Sequence, residues 1–292
     1  MSGTGIAGAQ DGAGMTRSHS PHLDSILGDQ FPVLDHGFIR VIDYMGDDDA
    51  IVQAARTSYG DGTRTVSDNT GLIRHLMRKR HTGPFEHCEI KFHVRLPIVV
   101  ARQWIRHRTA NVSEQSGRYS VMKDEFYIPR AEQLARQSKT DKQGRGLVLT
   151  IEEAEAVQSV LYHDAIRAHD DYRAMLKKYD LSREIARLNL PLGSYTEWFW
   201  KIDLHNLFHF LSLRADHHAQ WEIRQYANAM HDIVREWVPI ATEAWEDYRL
   251  NAVSLSAQAV VIMKRRLAGE VVTQETSGMG RREWSEFVEA FT

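Results

Sequence analysis

The sequence predicts an α/β (α+β) fold: a single compact domain with a central sheet flanked by helices and a helical C-terminal half. Three observations predict it. Residues 87–96 alternate strictly, with Cys88, Ile90, Phe92, Val94 and Leu96 on one side and His87, Glu89, Lys91, His93 and Arg95 on the other, the period of a half-buried strand. From Thr150 onward apolar residues recur at helical spacing behind capping residues, as amphipathic helices require. No G-x-G-x-x-G follows a strand pattern, which argues against a doubly wound dinucleotide fold.

Taken in order, the chain opens with a stretch rich in Gly, Ser and Ala that lacks the basic start and apolar core of a secretory signal. Residues 1–30 are expected to form a disordered tail. The β-branched and aromatic run 37–45 reads as a strand. Asp47, Asp48 and Asp49 then cap and favourably charge a helix over 50–56, and Ser58 follows its end. Residues 68–80 read as a helix with Leu72, Ile73, Leu76 and Met77 on one face. After the 87–96 strand, Pro97 suits a first helical position. Extended to Arg106, that helix puts Gln103 and Arg106, three apart, on one face.

Further along, 119–128 is expected as a strand and 138–146 as a polar excursion. Thr150-Ile151-Glu152-Glu153 is a capping-box pattern that starts a helix reaching 172–179. Ser182 caps the next helix, with Arg183 and Arg187 on one face. Asp203 caps 204–213, where His205 and His209 stand one turn apart, and Asp216 is expected to cap a long helix through Trp237. Two weaker helical patterns, 257–267 and 281–291, make residues 251–292 a helical extension.

Composition narrows the function classes. The net charge of -3 gives no whole-protein attraction to nucleic acid, so any anion site must be local. No apolar run approaches the ~18 residues of a membrane span. The single cysteine, Cys88, excludes an internal disulfide and a cysteine-based zinc site, and it fits a reducing, cytoplasmic setting. Its place in the 87–96 alternation puts it among core side chains, where it is a small hydrophobe and not a nucleophile.

One stretch concentrates chemistry. Arg106-His107-Arg108-Thr109-Ala110-Asn111-Val112-Ser113-Glu114-Gln115-Ser116-Gly117-Arg118-Tyr119-Ser120 holds three arginines, forks that grip phosphate or carboxylate bidentately. Gly117 lets backbone N–H groups approach an anion. Charge alone does not separate such a site from a solvated basic loop. Ser116 has no base partner that spacing can place beside it, so it is expected to bind phosphate and not to attack.

Arg-His-Arg, seven residues, then Ser116, with Glu114, Gly117 and Arg118 around it, resembles the signature of the flavin-dependent thymidylate synthases. His81-Thr82-Gly83-Pro84-Phe85-Glu86-His87 and Leu213-Arg214-Ala215-Asp216-His217-His218-Ala219-Gln220-Trp221-Glu222-Ile223 resemble that family too. The likeness spans 37–248, so residues 31–250 are expected to be the family's domain with its largely antiparallel sheet.

The resemblance implies reductive methylation of dUMP, with bound FAD carrying the hydride, 5,10-methylenetetrahydrofolate as carbon donor and NADPH as reductant of the flavin. No metal, nucleic acid or membrane is expected. It also implies a homotetramer with each FAD shared between subunits. For dUMP the matching positions are Gln103, Trp104, Ile105, Arg106, Glu114, Gln115, Ser116, Gly117, Arg118, Arg187 and Arg214. Arg118 and Arg187 take the phosphate. Arg214 is the catalytic residue, a fixed cation that helps ionise N3 of uracil.

For FAD the matching positions are Ser58, His81, Gly83, Glu86, Arg106, His107, Arg108, Glu114, Asp203, Leu204, His205, His209 and His218. Gly83 departs from the hydroxyl residue usual there, and Asp203 and His209 from amides. Three rivals are weighed beside this reading. A conventional thymidylate synthase needs an accessible thiolate, and Cys88 is the one thiol. A metal hydrolase built on His205, His209, His217 and His218 lacks an H-E-x-x-H glutamate. An RNA- or DNA-binding module on the Arg106 loop lacks aromatic company.

Overall fold

The alternation of 87–96 appears as an inner strand of a five-stranded antiparallel sheet in the computed structural model, which describes residues 17–57, 68–139 and 144–291. The strands are β1 (Phe31–Val33), β2 (Gly37–Met45), β3 (Glu89–Pro97), β4 (Asn111–Glu114) and, much later in sequence, β7 (Tyr195–Asp203), in the spatial order β1-β2-β3-β7-β4. β3 pairs with β7 from Glu89↔Asp203 to Pro97↔Tyr195. Its inward set, Ile90, Phe92, Val94 and Leu96, is fully buried.

β7 is the main feature that local pattern did not reveal. No strand is expected at 195–203 from the reading above, yet Trp198, Trp200 and Ile202 point into the core between Glu197, Phe199 and Lys201. Its aromatic content was the available signal. The strand expected at 119–128 is instead irregular chain with one isolated bridge, Phe126 to Ser194. Ladder pairing passes to β4, and Gln115 N donates to Glu197 O at 2.8 Å before the chain turns away from the sheet. The polar excursion 138–146 is flanked by a hairpin of β5 (Ala135–Gln137) and β6 (Arg145–Val148).

Helices cover the apolar face. α4 (Ile98–Trp104), α7 (Leu204–Arg214) and α8 (Trp221–Trp237) pack on the sheet, with Trp104 at their meeting point. The buried Trp104 ring lies 4.8 Å from Phe210, 5.2 Å from Trp200, 5.6 Å from Trp198 and 6.0 Å from Tyr226, centroid to centroid. Removing such a ring costs about 3–5 kcal/mol, so the end of α4 is firmly held.

α4 stops at Trp104, and Ile105 caps it with His107 N donating to Trp104 O at 3.0 Å. Arg106 therefore lies past the helix, and the expected shared helical face with Gln103 is not formed. Pro97 closes β3 and stands at the N-cap instead of inside the helix.

Of the other expected caps, those at Asp47, Thr150 and Asp203 hold, and Asp68 supplies one that was not foreseen. Asp47 accepts from Ala50 N at 2.9 Å ahead of α2 (Asp48–Arg56), and Asp68 from Thr70 N at 2.6 Å ahead of α3 (Asn69–Lys79). Thr150 and Glu153 form the capping box of α5 (Ile151–Tyr179), and Asp203 caps α7. Ser182 precedes the short α6 (Arg183–Ala186) without a side-chain cap bond. Asp216 does not start α8. It accepts from His218 N at 2.7 Å, an Asx turn, and α8 begins behind Gln220.

Order begins before residue 31, which corrects the expected tail from residue 17 on. α1 (Pro21–Ile26) buries Leu23 completely, and Tyr44 Oη donates to Asp24 Oδ1 at 2.6 Å. Residues 1–16 lie outside the described residues.

The chain divides into two compact units, one ending at Ala244 and one starting at Trp245, a boundary within α9 (Pro239–Trp245). The second holds α10 (Ala257–Leu267), α11 (Gln274–Ser277) and α12 (Arg281–Glu289) around its own core of Ala259, Ile262, Val272, Met279 and Phe287. Among the described residues no helix is long and apolar enough to cross a membrane.

Candidate active site

Because Trp104 is fixed in the core, the residues after it emerge in a set direction. His107 turns inward, 9% exposed, with its ring 4.9 Å from Phe210 and 5.9 Å from His209. Its Nε2 accepts from Arg214 Nε at 3.0 Å. Burial, then the charges of Arg214 and His209, push the His107 pKa down to about 4. A neutral imidazole with its proton on Nδ1 follows. Arg214 ends α7 partly buried, where desolvation lowers its pKa but leaves it a cation. Arg106 and Arg108 are exposed, and among the described residues neither has a carboxylate partner.

A second group forms where the chain leaves β4. Residues 116–119 make a turn, with Arg118 N donating to Ser116 Oγ at 3.2 Å and Tyr119 N to Ser116 O at 3.1 Å. A Cβ on Gly117 would stand 3.1 Å from Arg187 Nη1 and 3.1 Å from Met122 Sδ. The guanidinium thus lies directly on the glycine. Arg118 Nη2 meets Glu184 Oε2 at 3.0 Å, with both side chains about half exposed; such a pair is weak and yields readily to a stronger anion. Glu114 accepts from Thr196 Oγ1 at 2.8 Å.

The remaining residues fall around α7. A 3-10 turn, Gly83–His87, packs against it, with His81, Gly83 and Glu86 all exposed. Leu204 is buried and its N–H donates to Cys88 O at 2.8 Å. His205 is half-buried and His209 exposed. Both Asp203 oxygens are engaged by Asn206, from its N at 2.9 Å and its Nδ2 at 2.6 Å. Ile105 is exposed, the Trp104 side chain belongs to the core, and Ser58 lies outside the described residues.

The structure therefore brings His107, His209 and Arg214 together, and separately Gly117, Arg118 and Arg187. No contact between the two groups is recorded among the described residues. A cavity of about 1030 Å³ between the end of β1 and the turn after it, the β5–β6 hairpin and the start of α8 is lined by Gln103 and His218 alone of the expected residues, so it is not their meeting point. Asp216, His217 and His218 offer ligand atoms within 4.8 Å of one another, and His205 and His209 stand outside that group. Glu184, Thr196 and Met122 were not foreseen at the site. Thr196 is placed by β7, which the sequence reading did not include; the alternation of residues 195–203 was the signal that could have found it.

Cys88 is fully buried, and burial pushes its thiol up to about 12. Its Sγ donates to Asp47 O at 3.3 Å. A thiolate nucleophile is excluded at this position.

A family model described as "Thymidylate synthase complementing protein" (Thy1) matches residues 40–240. A flavin-dependent thymidylate synthase of Ruegeria pomeroyi is 60% identical over 92% of this chain and 90% of its own length. Another, of Gluconobacter oxydans, is 57% identical over 90% and 88% respectively. Among solved structures, a UMP/dUMP methylase PolB from Streptomyces cacaoi bound with 5-Br UMP superimposes with a TM-score of 0.67 at 32% identity, covering 75% of this chain and 97% of that one. The same protein bound with 5-Br dUMP gives 0.67 at 31% identity, covering 75% and 98%.

Proposed function

We infer that this chain, which belongs to the flavin-dependent thymidylate synthase family, is an enzyme that methylates dUMP to dTMP with a flavin. Within that reading the flavin is FAD, NADPH is its reductant and 5,10-methylenetetrahydrofolate is the carbon donor. The enzyme works in the cytoplasm as a homotetramer. The homotetramer with a shared site is what the resemblance to the family implies.

The observation that carries the substrate reading is the turn at 116–118, where Arg118 adjoins a glycine against which the Arg187 fork packs so closely that a Cβ would stand 3.1 Å from its Nη1. A phosphate dianion suits that arrangement. Gln103 Oε1 is buried without a hydrogen-bond partner among the described residues, so a ligand N–H fits it. Trp104 and Ile105 contribute through backbone only, and Gln115 and Glu114 border the same turn.

The exposed Arg106 and Arg108 guanidiniums, without a carboxylate partner among the described residues, form with the exposed imidazoles of His81, His209 and His218 a donor set that fits a dinucleotide pyrophosphate and flavin ring. A bound flavin supplies the hydride chemistry that no side chain provides. Arg214, held by the neutral His107, presents a fixed cation to the pyrimidine and stabilises negative charge at N3. His205, Glu86 and the backbones of Gly83, Asp203 and Leu204 border the cofactor.

The test is the visible spectrum of the purified protein, followed by dTMP formation from dUMP with NADPH and the folate omitted in turn. Flavin absorbance with turnover that needs both is expected. A colourless protein that makes no dTMP after FAD is added overturns the reading.

A further inference from the structure

α5 is long and mostly solvent-facing, yet it buries four side chains, Ala154, Ala165, His169 and Tyr172. The last two meet the chain just downstream of the phosphate turn. Tyr172 is 0% exposed and its Oη accepts from Met122 N at 3.2 Å. Met122 Sδ in turn lies against Gly117, on the same glycine that the Arg187 guanidinium touches. Residues 119–125 belong to no strand, so side chains must hold this segment where a ladder does not.

His169 and Arg173 hold the next residues. His169 is 1% exposed, with Nε2 hydrogen-bonded to Ser194 Oγ at 3.2 Å and Nδ1 3.2 Å from Asp124 Oδ1 but out of line for a hydrogen bond. Arg173 pairs with the other Asp124 oxygen. Ser194 is fully buried, so this Asp-His-Ser series exposes no hydroxyl to a substrate and serves as an anchor, not a nucleophile.

We propose that Tyr172 is a positioning residue for the phosphate of dUMP, acting through Met122 to seat Gly117 and Arg118 beside Arg187. The inference rests on the reading of that turn as the phosphate site. Tyr172 touches no ligand; its hydroxyl sets where the turn's N–H groups and the two guanidiniums stand. Such a contact serves ground state and transition state alike, so its loss appears in KM and not in kcat.

The experiment uses flavin-loaded full-length enzyme with Tyr172→Phe, which removes one oxygen and keeps the ring. Expected is a rise of about fivefold in KM and Kd for dUMP with kcat within about twofold. Deoxyuridine, which lacks the phosphate, is expected to bind both proteins equally. Met122→Ala is the second variant, should Tyr172→Phe not fold, and is expected to act the same way; Met122→Leu restores packing and affinity.

Unchanged dUMP affinity, a fall in kcat alone, or equal weakening of dUMP and deoxyuridine overturns the positioning role. Arg118→Ala separates the two levels. If it leaves dUMP affinity intact, the phosphate reading itself fails. If it weakens dUMP binding while Tyr172→Phe and Met122→Ala do not, only the positioning role fails.

Discussion

Arg214→Lys retains a positive charge but deletes the Nε–H that His107 Nε2 accepts at 3.0 Å. A hydrogen bond from a charged donor contributes about 1.5–3 kcal/mol net, and about 2 kcal/mol is roughly a 30-fold change in rate. Lysine's single-point ammonium on a flexible stem cannot replace a planar fork oriented at one end and free at the other. kcat for dTMP formation under saturating dUMP and reductant is therefore expected to fall about 30-fold, and Arg214→Ala to fall further. His107→Gln keeps an acceptor near the same point and is expected to lose less than Arg214→Lys. Arg214→Lys turnover within about threefold of wild type would show that charge alone suffices and would refute the role given to the His107 contact.

Four more outcomes follow from the structure. Cys88→Ser should keep turnover near wild type and lower stability by about 1 kcal/mol in a urea titration, since a hydroxyl can make the same bond to Asp47 O. Arg145→Met removes the only cation bonded to Glu222 among the described residues. That side chain, 3% exposed and bonded by Arg145 at 2.6 and 2.7 Å, is left with the neutral donors Tyr127 Oη at 3.1 Å and Gln220 Nε2 at 2.9 Å. Stability should drop by about 2 kcal/mol, less than a fully buried pair because Arg145 is 38% exposed. Burial raises the Glu222 pKa, but the Arg145 bond and charge outweigh it and hold it low. The pair's contribution is thus present above pH ~4.5 and lost as pH falls through the folded value, a loss that Arg145→Met should remove from the pH profile of the urea midpoint.

His107 titrates the other way in charge but in the same direction in stability. Its folded pKa of about 4 lies below the unfolded ~6.5. Stability is full above that upper value and falls between the two as the unfolded chain takes up a proton. His107→Gln should flatten that interval. Gly37→Ala would set a Cβ 2.1 Å from Tyr226 Oη and 2.6 Å from Val33 O, so at least about 3 kcal/mol of destabilisation is expected by calorimetry.

What the sequence alone determined is whatever short-range chemistry encodes. The alternation of 87–96 and the caps at Asp47, Thr150 and Asp203 are local, and each appears where its spacing puts it; the patterned stretch from Arg106 to Arg118 is local too and carried the family resemblance. Tertiary structure decided the rest. Ladder pairing gave residues 195–203 an inner place in the sheet, between β3 and β4, and denied a strand to 119–128, because a strand needs a partner that its own residues do not specify. It set α4 to end at Trp104, so that Arg106 lies past the helix, and it fixed the segment of α1 by burying Leu23. Burial against Phe210 likewise neutralised His107, since desolvation acts on a charge only once distant segments have closed around it.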